Sequence, residues 1–220
     1  MKYAVIDVGS NTVRLCVYDV LCPEKRKFKT IMNRKIMAGL AAYIVDGAFS
    51  DEGIAEAILA VKKCIKRASY LSPDRIDMFA TAVLRNISNS AQAIAAIEQG
   101  AGCTISLLSN ADEAHLGFVG ASSRGTLDDG ALIDIGGGST EITVIENGID
   151  VARNFFARSA RHNPCVHFRK RANGATDTVE FLGRASTGAR FVGGNKPATA
   201  RANGRNLVLG GQNVAHETLV

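Results

Sequence analysis

Two short stretches of the 220-residue sequence, 127 positions apart, repeat one order of residue types. The first is Asp7-Val8-Gly9-Ser10-Asn11-Thr12, and the second is Asp134-Ile135-Gly136-Gly137-Gly138-Ser139-Thr140. An apolar, β-branched run precedes each, so each reads as a strand that delivers an aspartate and then turns through glycine. Glycine lets a backbone pass close to a ligand, and successive N–H groups with Ser and Thr hydroxyls make a nest for an anion. The two carboxylates cannot bind an anion directly. They make sense if a hard divalent cation, Mg²⁺ or Mn²⁺, sits between carboxylate and phosphate, directly or through its waters. One such loop is equally well explained as an ordinary hairpin turn. Two with matching aspartates make that explanation much weaker.

The elements that must hold these loops follow from hydrophobic period. Residues 3–8 and 13–20 form a tight hairpin around the first loop, and residues 28–37 supply a third strand. From Ser50 the period becomes helical: Ile54, Ile58, Val61, Ile65 and Ala68 line one face, and Lys62, Lys63, Lys66 and Arg67 lie on a solvated opposite face. Ser72-Pro73-Asp74 ends that helix. Residues 76–83 then read as a buried strand, 90–99 as an Ala-rich helix closed by Gly100, 104–108 as a short strand, and 112–119 as a helix N-capped by Asn110. The opening pattern returns with strands over 131–135 and 141–146, the Asn147-Gly148 turn, and a third strand over 149–155. A repeat of this kind predicts two similar domains facing each other across a cleft. The first spans residues 1–125, and the second begins at 126–156.

Residues 157–220 differ in texture. Residues 1–150 carry 15 Lys and Arg against 18 Asp and Glu, whereas residues 151–220 carry 11 against 3, so the net charge of +5 belongs to the tail. Nine of those eleven cations are Arg, and long periodic apolar segments disappear. Such text fits an out-of-frame or disordered tail, or a basic extension that attracts a polyanion. It has few aromatics and no helix to enter a groove, so sequence-specific nucleic-acid binding is not expected. His162, Cys165 and His167 stand at no structural-zinc spacing. With 46% hydrophobic and 21% charged residues the chain has the balance of a soluble globular protein. No run approaches a membrane span, Asp7 interrupts any signal-peptide core, and five scattered cysteines suggest reduced thiols, so a cytoplasmic protein without a membrane partner is expected. A second sheet without covering helices leaves apolar surface and open edges, which points to a homodimer as the assembly.

The sequence resembles the exopolyphosphatase and guanosine pentaphosphate phosphohydrolase family, of the actin, Hsp70 and sugar-kinase superfamily. The likeness rests on four ordered segments. Ile6-Asp7-Val8-Gly9-Ser10-Asn11-Thr12-Val13-Arg14-Leu15 and Asp134-Ile135-Gly136-Gly137-Gly138-Ser139-Thr140-Glu141 look like its two phosphate loops. Between them stand Ala80-Thr81-Ala82-Val83-Leu84-Arg85-Asn86 and Ser109-Asn110-Ala111-Asp112-Glu113-Ala114, the latter similar to an S-G-x-E-E-A motif with Asn110 for the Gly and Asp112 for the first Glu. The resemblance covers residues 3 to about 150. It implies an α/β chain with an actin-like, ribonuclease-H-like first domain and an incomplete second domain of the same type. By the same resemblance Glu113 is the base that deprotonates an attacking water and Arg85 clamps phosphate oxygens. Gly9, Ser10, Asn11, Thr12, Gly136, Gly137, Gly138, Ser139 and Thr140 cradle phosphates, and Arg14 binds phosphate or braces its loop. Asp134, Glu141 and Asp7 hold Mg²⁺ or Mn²⁺. The implied reaction is release of terminal orthophosphate from polyphosphate or guanosine pentaphosphate. Two rivals share the paired loops: an actin-like ATPase or sugar kinase, and a non-catalytic phosphate-binding fragment.

Overall fold

The computed structural model describes residues 1–25, 27–122, 130–157, 198–202 and 205–210. Strands β1 (Lys2–Val8), β2 (Thr12–Cys22) and β3 (Lys27–Met37) form an antiparallel meander. A short 3₁₀ helix (Leu40–Tyr43) and a small ribbon, β4 (Ile44–Val45) with β5 (Ala48–Phe49), lead into α1 (Asp51–Ser69). Next come β6 (Arg75–Ala80), α2 (Ala82–Arg85), α3 (Ser90–Ala101), β7 (Ser106–Leu107) and α4 (Asn110–Ser122). The second sheet contains β8 (Gly130–Ile135), β9 (Ser139–Glu146), β10 (Ile149–Ala157), β11 (Ala198–Ala202) and β12 (Arg205–Gly210).

The first sheet has the order β3-β2-β1-β6-β7, with β6 parallel to β1 and β7 parallel to β6. This is the actin-like, ribonuclease-H-like arrangement expected for the first domain. β1 lies at its centre, and Ala4, Val5, Ile6 and Val8 are fully buried, as a near-continuous apolar run in a covered strand must be. Helices α1 and α3 cover one face: Val61 and Cys64 of α1 and Ile97 of α3 share a core with Ile6, Leu15 and Val17. Ser50 caps α1 by accepting from the Gly53 N–H at 3.2 Å, with Asp51 and Glu52 in the first turn and Lys66 and Arg67 in the last, each favoured by the helix dipole. The predicted solvated face of Lys62, Lys63, Lys66 and Arg67 is exposed.

Three expectations are corrected. The strand ends at Ala80 rather than residue 83, because Leu84 and Arg85 donate backbone N–H groups to the Thr81 carbonyl and turn Ala82–Arg85 into α2. The left-handed residue that closes α3 is Gly102, at φ 68°, and not Gly100. Gly100 lies inside the helix, where a Cβ would stand 2.5 Å from Ile58 Cδ1, so its role is close packing of α3 on α1. Ser109, not Asn110, caps α4: its hydroxyl accepts from the Asp112 N–H at 3.1 Å while Asp112 accepts from the Ser109 N–H at 3.3 Å. That reciprocal pair is a capping box.

The second sheet has the order β10-β9-β8-β12-β11. Its hairpin turns at Asn147 and Gly148, at φ 51° and 75°, the left-handed pair that a tight hairpin demands. α4 packs on it through Phe118 and Ala121 against Leu132 and Ile145. Among the described residues α4 is the one helix on this sheet, whereas two cover a face of the first. Two strands come from the segment expected as a tail: β12 runs parallel to β8 from Asn206↔Gly130 to Gly210↔Asp134, and β11 pairs antiparallel with β12. Beyond residue 157, only these two strands are described; His162, Cys165 and His167 lie outside the described residues. No described helix is long and apolar enough to cross a membrane.

Candidate active site

The sequence repeat is a repeat of backbone geometry. In the first loop Gly9 N–H donates to the Thr12 carbonyl at 3.1 Å, and in the second Gly136 N–H donates to the Ser139 carbonyl at 2.9 Å. Cβ atoms at Gly9 and Gly136 would stand 3.1 and 3.3 Å from those same carbonyl oxygens, so a side chain at either would crowd its own turn. Strand register repeats as well: Asp7 faces Arg14 and Val8 faces Val13, while Asp134 faces Glu141 and Ile135 faces Thr140. Arg14 and Glu141 therefore occupy equivalent places in the two hairpins. The first loop is braced from outside, since Ala38 and Gly39 donate to the Asn11 carbonyl and Ala41 donates to that of Ser10.

The loops meet. A Cβ at Gly137 would lie 3.1 Å from Ser10 Cβ and from Asn11 Nδ2, and one at Gly138 would overlap Ser10 Oγ. Around this contact a cavity of about 40 Å³ is lined by Asp7, Gly9 and Ser10 from one side and by Asp134, Gly136, Gly137, Gly138, Ser139 and Glu141 from the other. Glu113 and Thr81 line it too. Asn11, Thr12, Arg14, Arg85 and Thr140 do not. Thr12 and Thr140 are buried at the starts of the returning strands. Arg14 is buried, and its Nε donates to Asn33 Oδ1 on β3 at 3.1 Å, so its visible work is to brace the meander.

Arg85 stands directly behind Glu113. Its Nη1 donates to Glu113 Oε2 at 2.9 Å and to the Leu108 carbonyl at 2.8 Å, while Nε and Nη2 are buried with no hydrogen-bond partner among the described residues. Helix α2 delivers this side chain and the capped first turn of α4 delivers Glu113, so two breaks in regular structure bring the pair together. Burial raises the Glu113 pKa and the Arg85 charge opposes the rise. Glu141 is 2% exposed, with Oε1 lacking a hydrogen-bond partner among the described residues. Burial, then the nearby Glu113 charge, pushes its pKa up to about 8 against a lowering bond from Ser139. α4 passes close to Asp134 at Gly117, where a Cβ would make ordinary contact with Asp134 Oδ2 at 3.9 Å. Thr81 is a site residue that sequence reasoning did not single out, although it stood inside a quoted segment.

The Ppx/GppA phosphatase family model matches residues 22–160. The chain belongs to the Ppx/GppA phosphatase family. Its solved relatives share the fold. An exopolyphosphatase from Cytophaga hutchinsonii is 24% identical with a TM-score of 0.66, over 74% of this chain and 55% of that one. The Ppx/GppA phosphatase of Aquifex aeolicus is 22% identical with a TM-score of 0.61, over 71% of this chain and 52% of that one. The present chain thus spans about half the length of these Ppx/GppA structures.

Proposed function

We propose that the chain is a phosphohydrolase that releases terminal orthophosphate from inorganic polyphosphate or guanosine pentaphosphate by metal-assisted attack of water. Family membership supports the reaction class. The observation that carries the reading is the meeting of the two aspartate loops, whose Asp7, Ser10, Asp134, Ser139 and Glu141 line one cavity together with Glu113. Arg85 holds Glu113 from outside that cavity, and its planar guanidinium would clamp phosphate oxygens by turning its two unspent donors toward it. Glu113 accepts the proton of the attacking water, and a pKa raised by burial makes it a better base near neutral pH than an ordinary glutamate. N–H and hydroxyl groups of Gly9, Ser10, Gly136, Gly137, Gly138 and Ser139, which line the cavity, cradle the phosphates.

The donor set fits a hard cation. Glu141 offers a buried oxygen with acceptor capacity to spare, and Asp134 and Asp7 line the same cavity. Among the described residues no three acidic, His or Cys side chains form a metal cage by themselves. Asp134, Glu141 and Asp7 would therefore hold Mg²⁺ or Mn²⁺ together with water or phosphate oxygens, and the ion supplies charge neutralisation as the phosphoryl group transfers. The described cysteines are free thiols, which supports a cytoplasmic site of action.

The test is orthophosphate release by the purified chain from polyphosphate and guanosine pentaphosphate in parallel, with Mg²⁺ and with EDTA. Release from at least one substrate that EDTA abolishes is the expected result. Transfer of label from ATP to an acceptor without such release would favour the kinase reading. Binding without turnover in any metal would favour a non-catalytic fragment.

A further inference from the structure

Helix α4 carries Glu113, and its mechanical attachment decides where that carboxylate points. Glu113 and His115 are two residues apart, which places them about 200° apart around a helix, nearly on opposite sides. Glu113 faces the cavity and the Arg85 guanidinium. On the far side, His115 Nδ1 lies 3.0 Å from Asp150 Oδ2 at the start of β10. The Asp150 side chain is only 10% exposed, so its carboxylate needs a polar partner. A β-bulge falls directly after Asp150, where the β10–β9 register shifts between Asp150 and Ala152. Bulges re-aim side chains at strand edges and near sites. Between the two, Thr143 of β9 donates its hydroxyl to the Ala114 carbonyl at 3.4 Å. The first turns of α4 are therefore tied to the second sheet at Ala114 and at His115.

We infer that His115 is a positioning residue for Glu113: its clamp on Asp150 fixes the rotation of α4 about its own axis and so aims the base into the cleft. The inference rests on the reading of Glu113 as the base. It has a mechanical corollary. Glu113 is held to the first domain by Arg85 and by the Ser109 carbonyl that accepts its backbone N–H, so α4 bridges the first domain and the second sheet.

The test uses the full chain and four proteins: parent, His115→Ala, His115→Arg and Asp150→Asn. Two readouts are needed, steady-state orthophosphate release from polyphosphate and backbone hydrogen exchange across residues 109–122. Because misplacing a reacting group by about 1 Å can cost a hundredfold, the Ala and Asn variants are expected to lose about tenfold or more in kcat. KM stays near the parent's, since the loops that bind phosphate are untouched. Exchange quickens in the first turns of α4. His115→Arg, whose guanidinium can also donate to Asp150, restores both kcat and exchange. An alanine variant with parental kcat, or with α4 exchanging no faster than the parent's, overturns the assignment. If the parent itself releases no orthophosphate, the hydrolase reading fails on its own, and the exchange comparison then decides the clamp alone.

Discussion

Glu113 and Arg85 make a pair whose members should fail differently. Glu113→Gln keeps the size and the hydrogen-bonding edge but cannot take a proton, so turnover should fall a hundredfold or more while polyphosphate binding survives. Equal turnover in mutant and parent would take Glu113 out of the mechanism. Arg85→Ala removes a hold on ground and transition states alike and should weaken KM and kcat together. An effect on neither would leave Arg85 as a structural brace on Leu108. Glu141 leads to a third expectation, one that needs no turnover. Its carboxyl sits at about 8 in the fold against 4.5 in the ordinary state, so between those values the native chain binds more protons than the unfolded one. Stability in EDTA should therefore fall as pH rises through that window, by at most about 1.4 kcal/mol per unit. Mg²⁺ binding to the ionised form opposes the loss, and its gain in melting temperature should be larger at about pH 8 than at about pH 5. Equal gains at both would detach Glu141 from the cation.

At the scale of elements, the capping box of α4 is the most direct target. Ser109→Ala removes the hydroxyl that accepts from the Asp112 N–H, leaving the Ser109 backbone bond to Asp112 in place, and should cost about 1 kcal/mol, a melting shift of about 2–4 °C read by thermal unfolding. No shift would mean that the cap contributes nothing measurable. This element also shows what could be read in advance. Ser109 and Asp112 stood in a recognisable order, yet attention to Asn110 hid the cap, because both residues favour that position and only geometry separates them. The helix α1 was legible because nineteen residues give the period room to repeat. Helix α2 was not, because four residues of Ala, Val, Leu and Arg complete barely one turn and continue an apolar strand in sequence. The aspartate loops were legible because their chemistry is local. The meeting of Arg85 with Glu113, 28 positions apart, was expected only through resemblance.

For the whole molecule, the parallel pairing of β12 with β8 joins residues more than seventy positions apart, inside text whose Arg, Gly and Asn content hid a six-residue strand. A chain ended at residue 157 would leave the β8 edge open beside the second loop, and open edges recruit other chains. Size-exclusion chromatography with light scattering should show the shortened chain associating more than the full one. A monodisperse shortened chain of parental activity would show that β12 is dispensable. The contact between Gly138 and Ser10 sets a different kind of limit. At Gly138 one half of the molecule presents bare backbone to the Ser10 side chain of the other, so the absence of a single methyl group lets the two loops sit this near. Gly138 acts as a spacer of minimum thickness, and a larger residue there would displace the Ser10 hydroxyl first.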